Sequence, residues 1–238
     1  MLITSKAESR FCLALSATPV GGHLSEALGA SSFRGLRILD IPVAVMIDGG
    51  HTRALAKKSK INHNPDFVES LALSCVLEEE RLLRILYYDC APYVGNTKLP
   101  VSGTPHEFKG SDQWLRDLAA RDLFAVRRGV LKFRGFKPKK IPIAHGAALT
   151  DADFRPDFEQ KGVDMRIGLD MASFSEKRTV QRIILVTADT DCLPAMKHAR
   201  KAGLQVVLIN LPDQKLAPEL LWHADFKRPI GWPLPRNP

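Results

Sequence analysis

Three runs of apolar, mostly β-branched residues constrain this chain most: Ile41-Pro42-Val43-Ala44-Val45-Met46-Ile47, Ile183-Ile184-Leu185-Val186-Thr187-Ala188 and Leu204-Gln205-Val206-Val207-Leu208-Ile209. Runs of this length without polar alternation suit strands buried on both faces, as in a parallel sheet covered by helices. Two of them end on an acid, Asp48 and Asp189. Ligands of open α/β sheets bind just beyond the carboxyl ends of the strands. Carboxylates gathered on one rim repel each other unless a cation or a proton lies between them.

The rest of the chain punctuates into alternating elements. Residues 65–83 read as a helix carrying Phe67, Leu71 and Leu77 on one side, and 84–89 as a second strand. Residues 90–110 hold Pro92, Gly95, Pro100, Gly103, Pro105 and Gly110 and read as a long irregular loop. A helix is expected over 112–127, a short strand over 130–133, a helix from 164 to 174 and another from 192 to 202, stopped by Gly203. Strands alternating with helices predict an α/β fold with a mostly parallel central sheet and helices on both faces. The domain is placed at residues 41–226. Residues 1–40 are read as a flexible extension and 227–238, with Pro229, Pro233, Pro235 and Pro238, as a tail without regular structure. Phe11–Leu15 behind Lys6 and Arg10 is too short and too soon interrupted to match a secretory signal.

Asp48 ends a strand before Gly49-Gly50, which also fits a tight turn in which the acid bonds its own backbone. Asp191 fits the N-cap of the helix after it, whereas Asp189, between strand and cap, has no such duty. Asp164 opens its own helix, and Asp170, six residues on, faces a different side as an outer support. Together, Asp48, Asp164, Asp189 and Asp191 form an all-oxygen set suited to a hard cation, Mg²⁺ or Mn²⁺. Between the acidic segments lie Arg127, Arg128, Lys132, Arg134, Lys137, Lys139 and Lys140 with no acid interleaved, and Lys161 follows. Such a run reads either as a solvated face or as a phosphate-binding one. Phe133 within it is assigned to packing, and His51 lies close enough to Asp48 to approach a substrate.

Met46-Ile47-Asp48-Gly49-Gly50, Tyr87-Tyr88-Asp89, Gln160-Lys161-Gly162-Val163-Asp164 with Leu169-Asp170, and Ile184 through Asp191 occur in that order. This series resembles the NYN domain family, in its LabA-like branch of the PIN-like nucleases, over residues 42–212. The resemblance implies a Rossmann-like PIN fold and an acidic pocket for Mg²⁺ or Mn²⁺ at Asp48, Asp164, Asp189 and Asp191, with Asp170 as a further matched acid. It also implies RNA hydrolysis, expected as endoribonuclease activity on single-stranded RNA, in a fold class whose members often pair, while the scattered cysteines fit a reduced, cytoplasmic compartment. The chain departs from the family's usual Ser-Gly-Asp-Ser-Asp-Phe with Thr187-Ala188-Asp189-Thr190-Asp191-Cys192. It also has Gly50 and His51 where members carry Asn, which bears on substrate fit and rate.

A net charge of +8 favours an anionic partner. No apolar run approaches the roughly 20 residues of a membrane helix. The four cysteines stand apart, without zinc spacing or a C-x-x-C pair. No G-x-G-x-x-G follows the first strand, which disfavours a dinucleotide enzyme. Two competitors stay open: a phosphatase using Asp189-Thr190-Asp191 as an Asp-x-Asp start, with Leu193 in place of the expected Thr or Val, and a non-catalytic RNA-binding module.

Overall fold

The computed structural model describes residues 40–143 and 145–233; the expected N-terminal extension and the last tail residues lie outside these. In chain order the elements are β1 (Ile41–Asp48), α1 (Gly49–Lys58), α2 (Pro65–Ser74), β2 (Glu80–Cys90), β3 (Gly95–Lys98), β4 (Pro105–Phe108), α3 (Gln113–Ala119), β5 (Phe124–Pro138), β6 (Phe154–Lys161), α4 (Val163–Lys177), β7 (Arg182–Val186), α5 (Leu193–Lys201), β8 (Gln205–Asn210), α6 (Pro218–Trp222) and β9 (Phe226–Pro229). The main sheet runs β6-β5-β2-β1-β7-β8-β9. Every neighbouring pair is parallel except β5 with β6.

β1 lies at the centre and its alternate residues feed two cores. Val43, Val45 and Ile47 meet Phe67, Val68 and Leu71 of α2 and Leu115 and Leu118 of α3. Ala44 and Met46 meet Val163, Ile167 and Met171 of α4 and Met196 and Ala199 of α5. This two-sided burial is why β1, β7 and β8 carry no polar alternation. After β1 the chain first builds outward through β2 and β5, then returns to the other side of β1 with β7. The sheet order therefore reverses between β1 and β7, the place where α/β sheets bind ligands.

Several expectations are corrected. Gly49 and Gly50 do not make a turn but open α1, which Asp48 caps by accepting the His51 N–H. Gly49 is required by packing: a Cβ there would lie 2.4 Å from the Tyr87 ring. The helix expected to reach residue 83 stops at Ser74, because β2 begins at Glu80 rather than 84. The helix expected over 112–127 ends at Ala119. Residues 90–110 are not irregular throughout, since β3 and β4 pair there as an antiparallel hairpin. The short strand at 130–133 is part of β5, whose residues 130–138 leave β2 and pair with β6. Residues 226–229 form the edge strand β9, with Pro229 at its last position, where a missing donor costs little.

Candidate functional site

The carboxyl ends of β1 and β7 and the start of α4 meet at one cleft. Asp48 ends β1 and is 8% exposed. Its Oδ1 accepts the His51 N–H at 3.0 Å and its Oδ2 accepts the Thr187 hydroxyl at 3.1 Å. Asp189 caps a 3₁₀ turn over Thr190–Cys192 by accepting the Asp191 N–H at 2.9 Å, so it has the local role its position had not suggested. Asp191 sits inside that turn rather than capping α5. Gly162, at φ 76°, turns the chain from β6 into α4 and places Asp164 in the first turn of that helix.

Ligand oxygens of Asp164, Asp189 and Asp191 all lie within 4.8 Å of one another. An open cleft of about 610 Å³ is lined by Asp48, Gly50, His51, Gln160, Asp164 and Asp189, among others, and by no Lys or Arg. The electrostatics agree with that composition. Burial pushes the Asp48 carboxyl above its usual range, the His51 amide and Thr187 hydroxyl offset part of this, and Asp189 adds to it. Burial, then the charges of Asp189 and Asp48, also raise Asp164. Among the described residues lining the cleft, His51 is the one base beside these carboxylates; such a set fits a hard divalent cation, which takes oxygen ligands and removes the repulsion.

His51 is the cleft residue whose weight the sequence understated. Its Nε2 is shielded from solvent and makes no hydrogen bond. A polar atom left this way beside a cleft points to a missing partner. Asp170 does not support the acids. It accepts Tyr88 Oη at 3.0 Å and Arg127 Nε at 2.9 Å, and so ties α4 to β2 and β5.

The basic run divides. Arg127 is engaged by Asp170 and Arg128 by Asp112 at 2.7 Å. Arg134 and Lys161 meet Glu159, at 3.3 and 2.5 Å, and Lys137 pairs with Asp157. Lys139 Nζ donates to the Ala152 carbonyl at 2.6 Å. Lys132 is exposed opposite Glu159, and Lys140 is exposed. The acids absent from the run thus stand across from it on β6. Phe133 packs as expected, among Tyr93, Phe108, Phe136 and Phe158, with centroids 5.2–5.7 Å away.

Behind the cleft, Asp89 is fully buried and accepts both Arg53 Nη atoms, at 2.5 and 2.9 Å, together with Tyr87 Oη at 3.1 Å. These bonds fasten α1 to β2. Nearby His63 packs on Trp114 and Phe67, and burial, followed by the Arg53 charge, lowers its pKa to about 4. A histidine with a depressed folded pKa favours the folded state fully above the unfolded value near 6.5. That contribution falls away as pH drops from there towards about 4. Wild type should therefore lose about 2–3 kcal/mol more than His63→Leu between pH 7 and pH 4.5. Urea titrations of both proteins at the two pH values check this; equal losses would contradict it.

The family model described as NYN domain matches residues 115–227. A comparison with curated proteins gives no match. Among solved structures, a protein of unknown function from Vibrio parahaemolyticus is 17% identical, with a TM-score of 0.47, covering 81% of this chain and 94% of its own.

Proposed function

We propose that this chain, which matches the NYN-domain model over residues 115–227, is a metal-dependent ribonuclease that cuts RNA phosphodiester bonds at the acidic cleft. The observation that carries this reading is the convergence of Asp164, Asp189 and Asp191 within 4.8 Å at the sheet's reversal point. These three would hold Mg²⁺ or Mn²⁺, with Asp48 beside them. When bound, the cation supplies charge neutralisation at the phosphate and lowers the pKa of water.

The chain's own groups account for the remainder. Each Asp48 oxygen accepts one hydrogen bond and keeps a lone pair with which to orient a water. Hydrolysis joins that water's oxygen to phosphorus, passes its proton to a carboxylate and releases the sugar oxygen. His51 lines the same cleft from the first turn of α1. Among the described residues no helix is long and apolar enough to cross a membrane. The reading places the chain in the cytoplasm, where thiols such as Cys75, Cys90 and Cys192 stay reduced.

The test is incubation of end-labelled single-stranded RNA with Mn²⁺, with Mg²⁺ and with EDTA. Products are expected with either cation and none with EDTA. RNA that is bound but never cut would replace this reading with that of a non-catalytic RNA-binding module.

A further inference from the structure

β5 and β6 outrun the main sheet as a two-stranded arm over Val130–Pro138 and Phe154–Lys161. The arm is rooted beside the acidic cleft: Gln160, on the same side of β6 as Phe158, lines it, and the chain passes from Lys161, on the other side, through Gly162 into α4 and Asp164. Its two faces differ because strand side chains alternate. One face carries Phe133 opposite Phe158, with Phe136 opposite Pro156. The β3–β4 hairpin and Tyr93, two residues before it, close this face, with Phe108 5.2 Å and Tyr93 5.7 Å from Phe133 by ring centroids. Asp151 holds the hairpin's tip by accepting the Val101 and Ser102 amides.

The other face is open and charged. Lys132, Arg134, Lys137, Arg155 and Lys161 are exposed there, against Asp157 and Glu159. Glu159 sits among three of the bases, bonded to Lys161 and Arg134 and directly opposite Lys132. The acid holds the bases extended along the strand while leaving the face positive. Cations spaced along an open ribbon that starts at a phosphodiester-cutting cleft suit a strand with a regular phosphate spacing.

We propose that this arm is a track for single-stranded RNA leaving the cleft, with Lys132, Arg134 and the facing pair Lys137 and Arg155 meeting phosphates in turn on one side of the cut. The proposal rests on the ribonuclease reading for what lies in the cleft, but not for its own test. Along β6, from Lys161 to Phe154, the arm is about 23 Å long at about 3.3 Å per residue, and the basic residues from Lys132 to the Lys137–Arg155 pair span about 13 Å of it. That length seats a few nucleotides, with basic residues at three points along the strand: Lys132, Arg134 and the Lys137–Arg155 pair. The aromatic face takes no base in this arrangement; its rings stiffen the arm against the hairpin.

The experiment measures binding of fluorescein-labelled single-stranded RNAs of increasing length, in EDTA, by anisotropy across a salt series. It compares wild type, Lys132→Ala/Arg134→Ala/Lys137→Ala, Glu159→Gln, and Lys197→Ala/Arg200→Ala/Lys201→Ala on α5 as a control that removes the same number of bases. Wild-type affinity should climb with length until a few nucleotides lie on the arm and then level. The arm variant should lose that climb and about 2 from its log–log salt slope, at about 0.7 per phosphate contact. From about 50 to about 200 mM salt, that difference amounts to about twentyfold in affinity. Glu159→Gln should bind several-fold more tightly, which a purely structural role for Glu159 would not produce. Equal loss in the α5 control, an unchanged salt slope in the arm variant, no RNA binding by wild type, or tighter binding of duplex of the same length would each overturn the proposal. Arm-dependent binding without cleavage in Mn²⁺ would retain the track and remove the nuclease.

Discussion

Asp189→Asn is expected to abolish metal-dependent RNA cleavage and, in metal-free buffer, to melt at a higher temperature than wild type. The two effects have one cause. Asp189 adds its charge to a group of carboxylates within 4.8 Å, and Asp48 and Asp164 both feel it as an upward push on their pKa, second to burial for Asp164. Asn keeps the oxygen that caps the Asp191 N–H, so the local turn survives while a negative charge is removed. With two of the three acids exposed to water, relief of repulsion is worth about 1 kcal/mol. That corresponds to about 2–4 °C in a chain of this size. Cleavage should fall at least about a hundredfold, because an acid that would hold the cation is gone. Mn²⁺ should stabilise wild type, by about 2.7 kcal/mol at a free concentration of about 100 Kd, and leave the variant nearly unmoved. Differential scanning fluorimetry with and without Mn²⁺, beside the RNA assay, reads both effects. A variant that melts lower without metal and responds to Mn²⁺ as wild type does would remove these acids from any cation site.

What the sequence made legible follows from how many faces of each element are buried. β1, β7 and β8 are covered on both sides, so their composition announces them, and the acids at the ends of β1 and β7 could be placed on the rim. The β5–β6 arm alternates exposed bases with half-buried aromatics, and a bulge between Phe133 and Gly135 breaks its period, so only a fragment at 130–133 was readable. α1 hid behind Gly49-Gly50, because glycine chosen for closeness to Tyr87 looks in sequence like glycine chosen for a turn. Local signals located Asp164, Asp189 and Asp191. They could not show that Arg127 is held by Asp170, 43 residues away, or that β6 sets Asp157 and Glu159 against the basic run. Pairing across strands far apart in sequence is set by register, and register is fixed only once the sheet has formed.

The opposite rim of the sheet reverses the effect of removing an acid. Glu80 begins β2 with its side chain fully buried. It accepts Arg228 on both oxygens, at 2.9 and 2.8 Å, Arg182 at 2.6 Å, and the Leu77 amide at 2.8 Å. Burial alone would raise its pKa, but Arg228, the Leu77 amide and Arg182 outweigh it and bring the carboxyl below its usual range. Arg182 also donates to Gln205 and lies 4.9 Å from the Phe226 ring centroid, so one carboxylate links β2, β7, β8 and the edge strand β9. Glu80→Ala strands two nearly buried guanidinium groups without their anion, a change that costs about 3–5 kcal/mol. Glu80→Gln keeps acceptors in place and should cost less. Because the folded pKa is depressed, the stabilisation is complete above the unfolded value and disappears as pH falls through the folded one, so wild type and Glu80→Ala should converge in acid. Denaturant unfolding at neutral and acidic pH measures the gap, and a neutral-pH loss under about 1 kcal/mol would show that the network does not hold β9 to the sheet. Both acids stand at rims of the same sheet, Glu80 buried and Asp189 half-buried, and the difference lies in their neighbours. Arginines surround Glu80, and its loss should be felt as stability. Carboxylates surround Asp189, and its loss should be felt as activity.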